Sequence, residues 1–323
     1  MIRLSAGTAA CLGLSSTRMD AFPTTAYLLS GRKCLMKCSF CPQGTGSNEA
    51  LNRLGRVNWP EYSWPDVEKS LRGAREKGIE RVCLQSVRHG DGIESLLGII
   101  ARLKNITDLP LSLSAWIGDE EEASTLLEAG VERISLSLDV INPLIFEQVK
   151  GGPQHSRLAL LLRCAEAMPG KISTHLICGL GETEAEALSL IDRLLKAGVT
   201  VALFAFVPLK GTALENKKPP PVSSYRRIQA GYYLLRDGAA EVSSFNFLNG
   251  RLRSFGLRES DLRARLSGGS AFQTSGCPGC NRPFYNERPG GIIYNYHRQL
   301  EMPERETALD ELLFSLGNGS RGF

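Results

Sequence analysis

Short apolar or β-branched runs alternate with longer amphipathic stretches along most of this 323-residue chain. The runs predict strands, and the stretches, in which apolar residues recur at helical spacing, predict helices. Predicted strands cover residues 26–30, 81–85, 110–115, 133–138, 171–178, 199–207 and 242–248, and predicted helices lie near 65–77, 91–105, 119–129, 154–168, 183–197 and 222–236. Gly78, Gly130 and Gly198 stand at the ends of three of these helices, as glycine does at a C-cap.

Strand–helix units repeated in this way indicate an α/β fold with a parallel sheet, because parallel strands need a crossover connection. Six or more units favour a (β/α) barrel of the triosephosphate isomerase type, full or partial. A doubly wound open sheet is the alternative fold. We expect the barrel over residues 25–265, an N-terminal extension over 1–24, and a C-terminal segment over 266–323 that ends in a helix at about 303–316.

Composition narrows the class of protein further. The net charge of +4 is too small for the concentrated basic surface of a nucleic-acid binder, and no apolar stretch is long enough to span a membrane. Nine cysteines, an odd number, without a recognisable secretory signal argue against a disulfide framework. The sequence therefore predicts a cytoplasmic protein whose cysteines are free to bind metal.

Cys34, Cys38 and Cys41 follow the first predicted strand, at the end of the barrel where such enzymes build their active sites. Three thiolates within eight residues can hold three irons of a 4Fe–4S cluster and leave the fourth iron open. The alternative is a zinc site completed by a distant fourth ligand.

The C-x3-C-x2-C spacing, with Phe40 before the last cysteine, resembles the signature of the radical S-adenosylmethionine (SAM) superfamily. The resemblance implies that the open iron binds SAM, and that an electron from an external donor cleaves it to a 5′-deoxyadenosyl radical. Phe40 belongs to the implied SAM site. The resemblance also implies contacts from Ser137 and Asp139 (ribose), Arg157 (carboxylate, as in biotin synthase), Gly179, Gly181 and Glu182 (a turn beside adenine), and Val207 (adenine).

A second cysteine motif, Cys277-Pro-Gly-Cys280, lies in the C-terminal segment. Such a knuckle points two thiolates at one metal. We expect Cys11 to join them as the third ligand of an auxiliary iron–sulfur cluster, with Ser275 as a candidate fourth ligand. A zinc knuckle is the alternative. Cys83 lies in a strand as a buried thiol, but biotin synthase carries a cluster ligand on the corresponding strand, which leaves a functional alternative for it.

The chain resembles biotin synthase in length and strand order, but its third strand has no cysteine and Ser173 stands where the fifth strand of that family has one. Residues 23–27, 41–43 and 280–287 resemble the biotin-synthase-like subunits of the two-component lipoyl synthase of archaea and some bacteria. That resemblance implies sulfur insertion into an octanoyl chain on the lysine of a lipoyl carrier domain. It also implies a homologous partner subunit and an auxiliary cluster that donates the sulfur.

Three alternatives remain at this stage. The chain could be a biotin synthase, or another radical SAM enzyme, a mutase or methylase, acting on a small molecule. A non-catalytic iron–sulfur electron carrier is the remaining alternative, although such a protein would have little use for an open iron.

Overall fold

The computed structural model describes residues 1–90 and 92–317. The strands are β1 (Ile2–Leu4), β2 (Thr25–Ser30), β3 (Arg53–Leu54), β4 (Val57–Asn58), β5 (Glu61–Tyr62), β6 (Arg81–Ser86), β7 (Leu111–Ser114), β8 (Arg133–Ser135), β9 (Ile172–Cys178), β10 (Thr200–Ala205), β11 (Asn246–Leu248) and β12 (Arg251–Ser254). The helices are α1 (Ala6–Cys11), α2 (Trp64–Arg72), α3 (Glu94–Ile106), α4 (Glu120–Glu128), α5 (Pro143–Val149), α6 (Gln154–Ala167), α7 (Glu184–Lys196), α8 (Val222–Arg236), α9 (Glu259–Leu266) and α10 (Met302–Gly317). Among these helices, none is both long and apolar enough to cross a membrane.

The central sheet has the strand order β10-β9-β8-β7-β6-β2-β1-β5. The run from β2 through β6 to β10 is parallel, and β1 then pairs antiparallel with β2 and β5. Helices connect the parallel strands, which confirms the α/β class and a (β/α) barrel that is at least partial. The carboxyl ends of the parallel strands all meet at one end of the sheet, called the upper end below; their amino ends meet at the lower end.

Successive side chains of each parallel strand point to opposite faces of the sheet. Leu84 on β6, Ile134 on β8 and Leu176 on β9 belong to the core between the sheet and the helices. Cys83 and Gln85 alternate with these core positions and face the inside of the barrel. The outer face thus stabilises the fold, which leaves the inner face free to line a cavity.

The prediction of a last barrel strand over residues 242–248 is wrong. Residues Val242–Ser244 form a turn of 3-10 helix, and only Asn246–Leu248 is extended. It pairs antiparallel with β12 in a hairpin outside the central sheet. Asn249 and Gly250 connect the two strands with φ of 51° and 76°, the left-handed conformations that a two-residue hairpin turn needs.

The C-terminal segment closes the lower end of the barrel. The backbone N–H of Leu203, on β10, donates to the Ser275 hydroxyl at 2.8 Å. The Thr24 hydroxyl, just before β2, donates to the Gly279 carbonyl at 2.6 Å. Residues 275–281 therefore run from β10 to β2, across the gap that the central sheet leaves open. The division into 1–24, 25–265 and 266–323 stays a prediction, and residues 318–323 lie outside the described part of the chain.

Candidate active site between two sets of cysteines

A cavity of about 300 Å³ lies against the inner face of the parallel strands. Alternate positions of β7, β8 and β9 line it with small or polar side chains, and β10 contributes Phe204. The predicted cluster ligands Cys34, Cys38 and Cys41 line it at the upper end. Three further cysteines, Cys83, Cys277 and Cys280, line the same cavity.

The loop that carries the first three cysteines folds back on itself. The backbone N–H of Cys34 donates to the Gln43 carbonyl at 3.1 Å, and the N–H of Thr45 donates to the Met36 carbonyl at 2.9 Å. A Cβ atom on Gly44 would lie 3.2–3.3 Å from the carbonyl oxygens of Met36, Cys38 and Cys41. Glycine at this position therefore lets the loop wrap tightly enough to turn its thiols toward a single space.

Burial, with a smaller contribution from the neighbouring cysteines, raises the pKa of the Cys38 and Cys41 thiols to about 12. Thiols with such pKa values are protonated at neutral pH, and metal binding must displace the protons. Within residues 1–90 and 92–317, no three cysteine, histidine or acidic groups converge tightly enough to hold a single ion. Cys34, Cys38 and Cys41 line one cavity, and thiolate sulfurs are the ligands that hold iron–sulfur clusters, so the donor set fits such a cluster.

Arg157 fits the role of binding the SAM carboxylate. Its side chain is buried, lines the cavity, and stacks on Trp116, with the guanidinium carbon 4.4 Å from the ring centroid. The guanidinium donates to the Ile117 carbonyl through Nη1, while Nε has no hydrogen-bond partner. A buried N–H without a partner costs free energy, which a carboxylate in the cavity would recover.

Asp139 has a left-handed backbone conformation, and its side chain forms an ion pair. Its φ of 64° is left-handed, which is uncommon for a residue other than glycine. The Lys150 ammonium lies 2.6 Å from the Asp139 carboxylate and also donates to the Ser137 carbonyl at 2.5 Å. Asp139, Lys150 and Ser137 all line the cavity, as do the predicted residues Phe40 and Val207.

The predicted glycine-rich turn, unlike the other predicted SAM-binding residues, does not line the cavity. The Glu182 carboxylate accepts hydrogen bonds from the backbone N–H groups of Gly179, Leu180 and Gly181 at 2.6–3.1 Å. A Cβ atom on Gly179 would lie 2.7 Å from Pro220, which covers the turn. Gly179, Gly181 and Glu182 are not among the residues that line the cavity, so the structure does not bring them together with the rest of the predicted SAM site.

Cys83, Cys277 and Cys280 form the second set, toward the lower end of the cavity. Burial raises the pKa of the Cys83 thiol, and the nearby Cys280 and Cys277 raise it further. The Tyr27 hydroxyl lies 3.3 Å from Cys280 Sγ, and the Ser112 hydroxyl donates to Cys277 Sγ at 3.8 Å.

Arg282 lies beside this set of thiols. Its Nη1 lies 3.8 Å from Cys280 Sγ, and its guanidinium carbon is 4.2 Å from the centroid of the Phe204 ring. A second hydrogen bond, to the Ser275 carbonyl at 2.8 Å, fixes the other end of the guanidinium. The second set therefore combines three thiols with a partly buried positive charge, and this charge opposes the rise in the pKa of Cys83 that burial causes.

Cys11 and Ser275 are placed elsewhere. Cys11 ends α1, and its thiol donates to the Lys77 carbonyl at 3.4 Å, on the outside of the sheet. The Ser275 hydroxyl accepts from the Leu203 N–H, as described above, and neither residue lines the cavity. The structure joins Cys83, rather than Cys11, to Cys277 and Cys280.

Sequence reasoning also missed His175, on β9. The side chain lines the cavity, between the hydroxyls of Ser135 and Ser137 at 3.4 and 3.3 Å, and its ring meets Phe204 edge-on at 5.2 Å. Burial lowers the pKa of His175 to about 4, so the imidazole is neutral. A signal was present: Ser173, His175 and Ile177 alternate with core residues on a strand whose other face is apolar.

The partial barrel and the cysteine loop at its upper end define an α/β enzyme built to carry an iron–sulfur cluster. The model of the radical SAM superfamily matches residues 28–194, just over half of the chain. The chain therefore belongs to the radical SAM superfamily, and membership implies a 4Fe–4S cluster and SAM.

Biotin synthases are among the relatives. The one from Leptospira biflexa is 26% identical over 67% of this chain and 62% of its own length, so the match spans less than two thirds of that protein. The one from Desulforudis audaxviator is 26% identical over 75% of this chain and 71% of its own length. Methylornithine synthase (PylB) shares the fold with a TM-score of 0.52 at 15% identity, over 66% of this chain and 62% of its own.

Proposed function

We propose that this chain is a radical SAM enzyme that inserts sulfur into an unactivated carbon chain. The observation that carries the proposal is that Cys83, Cys277 and Cys280 line the same cavity as Cys34, Cys38 and Cys41. A substrate in this cavity would lie between a radical source at one end and a sulfur donor at the other. A radical SAM enzyme of different chemistry, such as a mutase, would need no sulfur donor at that end.

The roles of the chain's own residues follow from their positions. Cys34, Cys38 and Cys41 would hold the 4Fe–4S cluster, and Arg157 would orient SAM through its carboxylate. When bound and reduced by an external donor, cluster and SAM supply the 5′-deoxyadenosyl radical that takes hydrogen from the substrate. Cys83, Cys277 and Cys280 would hold the auxiliary cluster, which supplies the sulfur.

The cavity wall suits an alkyl chain with one polar end. Leu29, Ile177 and Phe204 offer apolar surface, and neutral His175 offers one hydrogen-bond donor and one acceptor. Burial keeps the imidazole neutral, so the histidine places no charge beside the chain. The apolar part of the wall keeps water away from a carbon radical formed beside it.

The proposed substrate is an octanoyl chain on the lysine of a lipoyl carrier domain, thiolated in concert with a homologous partner subunit. Support comes from the resemblance of residues 280–287 to subunits of two-component lipoyl synthases. Those residues include Arg282, beside the second cysteine set, and Tyr285, which packs against Phe204 in the cavity wall.

Biotin synthesis is the second candidate, because curated biotin synthases align with this chain at about a quarter identity. Against it, β7 carries Ser112 and β9 carries Ser173 on the cavity wall, where the biotin synthase resemblance leads one to expect cysteines.

The test is a mass spectrum after anaerobic turnover. Cluster-reconstituted protein is incubated with SAM, a strong reductant and an octanoyl-lysine peptide, with dethiobiotin in a parallel reaction. Sulfur on the peptide together with 5′-deoxyadenosine is the expected result. Sulfur on dethiobiotin would instead assign biotin synthase. If SAM is cleaved but neither substrate gains sulfur, even with a homologous partner subunit added, the sulfur-insertion proposal is wrong and the superfamily assignment stands.

A further inference from the structure

The positive charge of the chain is concentrated at the upper end of the barrel. Residues 31–56, the cluster loop and the β3–β4 hairpin, contain five cations (Arg32, Lys33, Lys37, Arg53 and Arg56) and one carboxylate, Glu49. The net charge of the whole chain is also +4. The formal charges of all other residues therefore sum to zero, and the net positive charge of the chain lies in residues 31–56.

These cations have no carboxylate partners among the described residues. Arg75, Arg102 and Arg163, on the helical outside, each form an ion pair with an aspartate or glutamate. In contrast, the exposed side chains of Arg53 and Arg288 form neither an ion pair nor a hydrogen bond with any described residue. Arg53 and Arg288 therefore leave exposed, unpaired positive charge at the upper end.

Arg56 and Arg288 intensify this potential. Burial lowers the pKa of Arg56 and the like charge of the nearby Arg288 lowers it further, while the Glu287 carboxylate partly offsets both effects. Two guanidinium groups in mutual repulsion, beside an opening, are stabilised when an anion lies between or above them. Arg56 lines the cavity, whereas Arg288 does not, so the positive surface reaches the edge of the candidate active site through Arg56.

The same end is the open one. Residues 275–281 cover the lower end, so a substrate enters past the cluster loop. The backbone N–H of Leu35 donates to the Arg88 carbonyl at 2.8 Å, which ties the cluster loop to the segment after β6. The Leu35 side chain is 59% exposed there, and Lys33 and Lys37 lie two residues before and after it in the sequence. Interfaces commonly combine an apolar centre with a charged rim.

We propose that the upper end, comprising residues 31–37, 53–56, Arg88 and Arg288, is a docking surface for an acidic protein domain that delivers a tethered substrate into the cavity. The inference rests on the proposed function, since it assigns the surface that receives the carrier. A free small molecule needs no such broad positive surface. A protein domain with excess carboxylates gains faster association and correct orientation from it.

The experiment compares a tethered with an untethered substrate. Arg53→Glu/Arg288→Glu reverses two exposed charges of the surface that do not line the cavity. Lys69→Glu/Arg72→Glu makes the same charge change on the outside of α2 and serves as the matched control. Each protein is assayed with an octanoylated acidic lipoyl carrier domain and with an uncharged octanoyl-lysine peptide, at about 50 mM and about 500 mM salt.

We expect the Arg53/Arg288 variant to lose about tenfold in kcat/KM with the carrier at low salt, with a much smaller loss at high salt. The peptide should react equally with all three proteins. Equal losses with carrier and peptide would overturn the proposal, because the change would then act on the cavity. An unchanged reaction with the carrier would overturn it too, while leaving sulfur insertion intact.

A binding titration separates this inference from the proposed function. The unmodified carrier domain is titrated by calorimetry onto each protein, without SAM or reductant. Salt-sensitive binding that is lost only in the Arg53/Arg288 variant supports the docking surface even if neither substrate is converted. Binding that is absent, or equal in the Arg53/Arg288 variant and the control, rejects the surface.

Discussion

The guanidinium carbon of Arg157 lies 4.4 Å from the centroid of the Trp116 ring, and that of Arg88 lies 4.3 Å from the same ring. The indole is therefore held between two cations. Stacking of this kind restricts a guanidinium without using its N–H groups. Arg157 is thus kept in one orientation, and its Nε–H remains available to a ligand.

Replacing Arg157 should weaken SAM binding. Arg157→Lys keeps the charge but loses the planar fork, and we expect the Kd for SAM to rise about 10- to 100-fold, the equivalent of one charged hydrogen bond. Arg163→Lys, on the same helix but exposed and paired with Glu120, is the control and should leave the Kd unchanged. Calorimetry with cluster-loaded protein measures both. Similar affinities in the two variants would remove Arg157 from the SAM site.

The cysteine sets predict a pattern of iron content. Cys83→Ser, Cys277→Ser and Cys280→Ser should each lose the auxiliary iron after anaerobic reconstitution, because serine oxygen is a poor ligand for these clusters. SAM cleavage should persist in all three, and sulfur insertion should disappear. Cys11→Ser should keep the full iron content.

Iron analysis and electron paramagnetic resonance distinguish the outcomes. A Cys11 variant that loses iron, beside a Cys83 variant that keeps it, would reinstate the ligand set expected from the sequence.

Glu182 is predicted to stabilise the fold rather than to bind SAM. Glu182→Ala leaves three backbone N–H groups without their carboxylate, and we expect the free energy of unfolding to fall by about 3 kcal/mol. The Kd for SAM of the folded variant should stay within about twofold of the original, well under the 1.4 kcal/mol that a tenfold change represents. Urea unfolding and calorimetry measure the two quantities. A weakened affinity with unchanged stability would return Glu182 to the cofactor site.

The lowered pKa of His175 predicts that the free energy of unfolding depends on pH. Its pKa is about 4 in the folded protein against an ordinary 6.5, so between these values the unfolded chain binds a proton that the folded one does not. Stability is therefore lost as the pH falls below about 6.5, by about 2 kcal/mol at about pH 5. Urea unfolding at about pH 7 and pH 5 should show this loss in the original protein and a smaller one in His175→Gln. Equal losses would mean that the imidazole does not titrate on unfolding.

Much of the barrel could be predicted because its strands and helices carry strong periodic patterns. The strands predicted at 26–30, 81–85 and 171–178 match β2, β6 and β9 to within one residue. In contrast, β1 has only three residues, too few for a pattern, although it completes the sheet beside β2. The hairpin at Asn249-Gly250 had a local signal, the Asn-Gly pair, which the apolar run before it obscured.

The candidate site was predictable where its residues are close in sequence. Cys34, Cys38 and Cys41 come from one loop, so their spacing alone indicates that they share a function. Cys83 meets Cys277 only because the C-terminal segment crosses the lower end of the barrel. No local pattern encodes that crossing, and the sequence instead indicates Cys11, which lies outside any predicted core pattern.

That crossing has a consequence for biosynthesis. The loop with Cys34, Cys38 and Cys41 is complete early in translation. Cys83 can meet Cys277 and Cys280 only after almost two hundred further residues have been synthesised. The ribosome therefore releases the two cysteine sets at different times. The thiols of the first set can therefore come together on a growing chain, whereas those of the second set meet only after the C-terminal segment has folded back across the barrel.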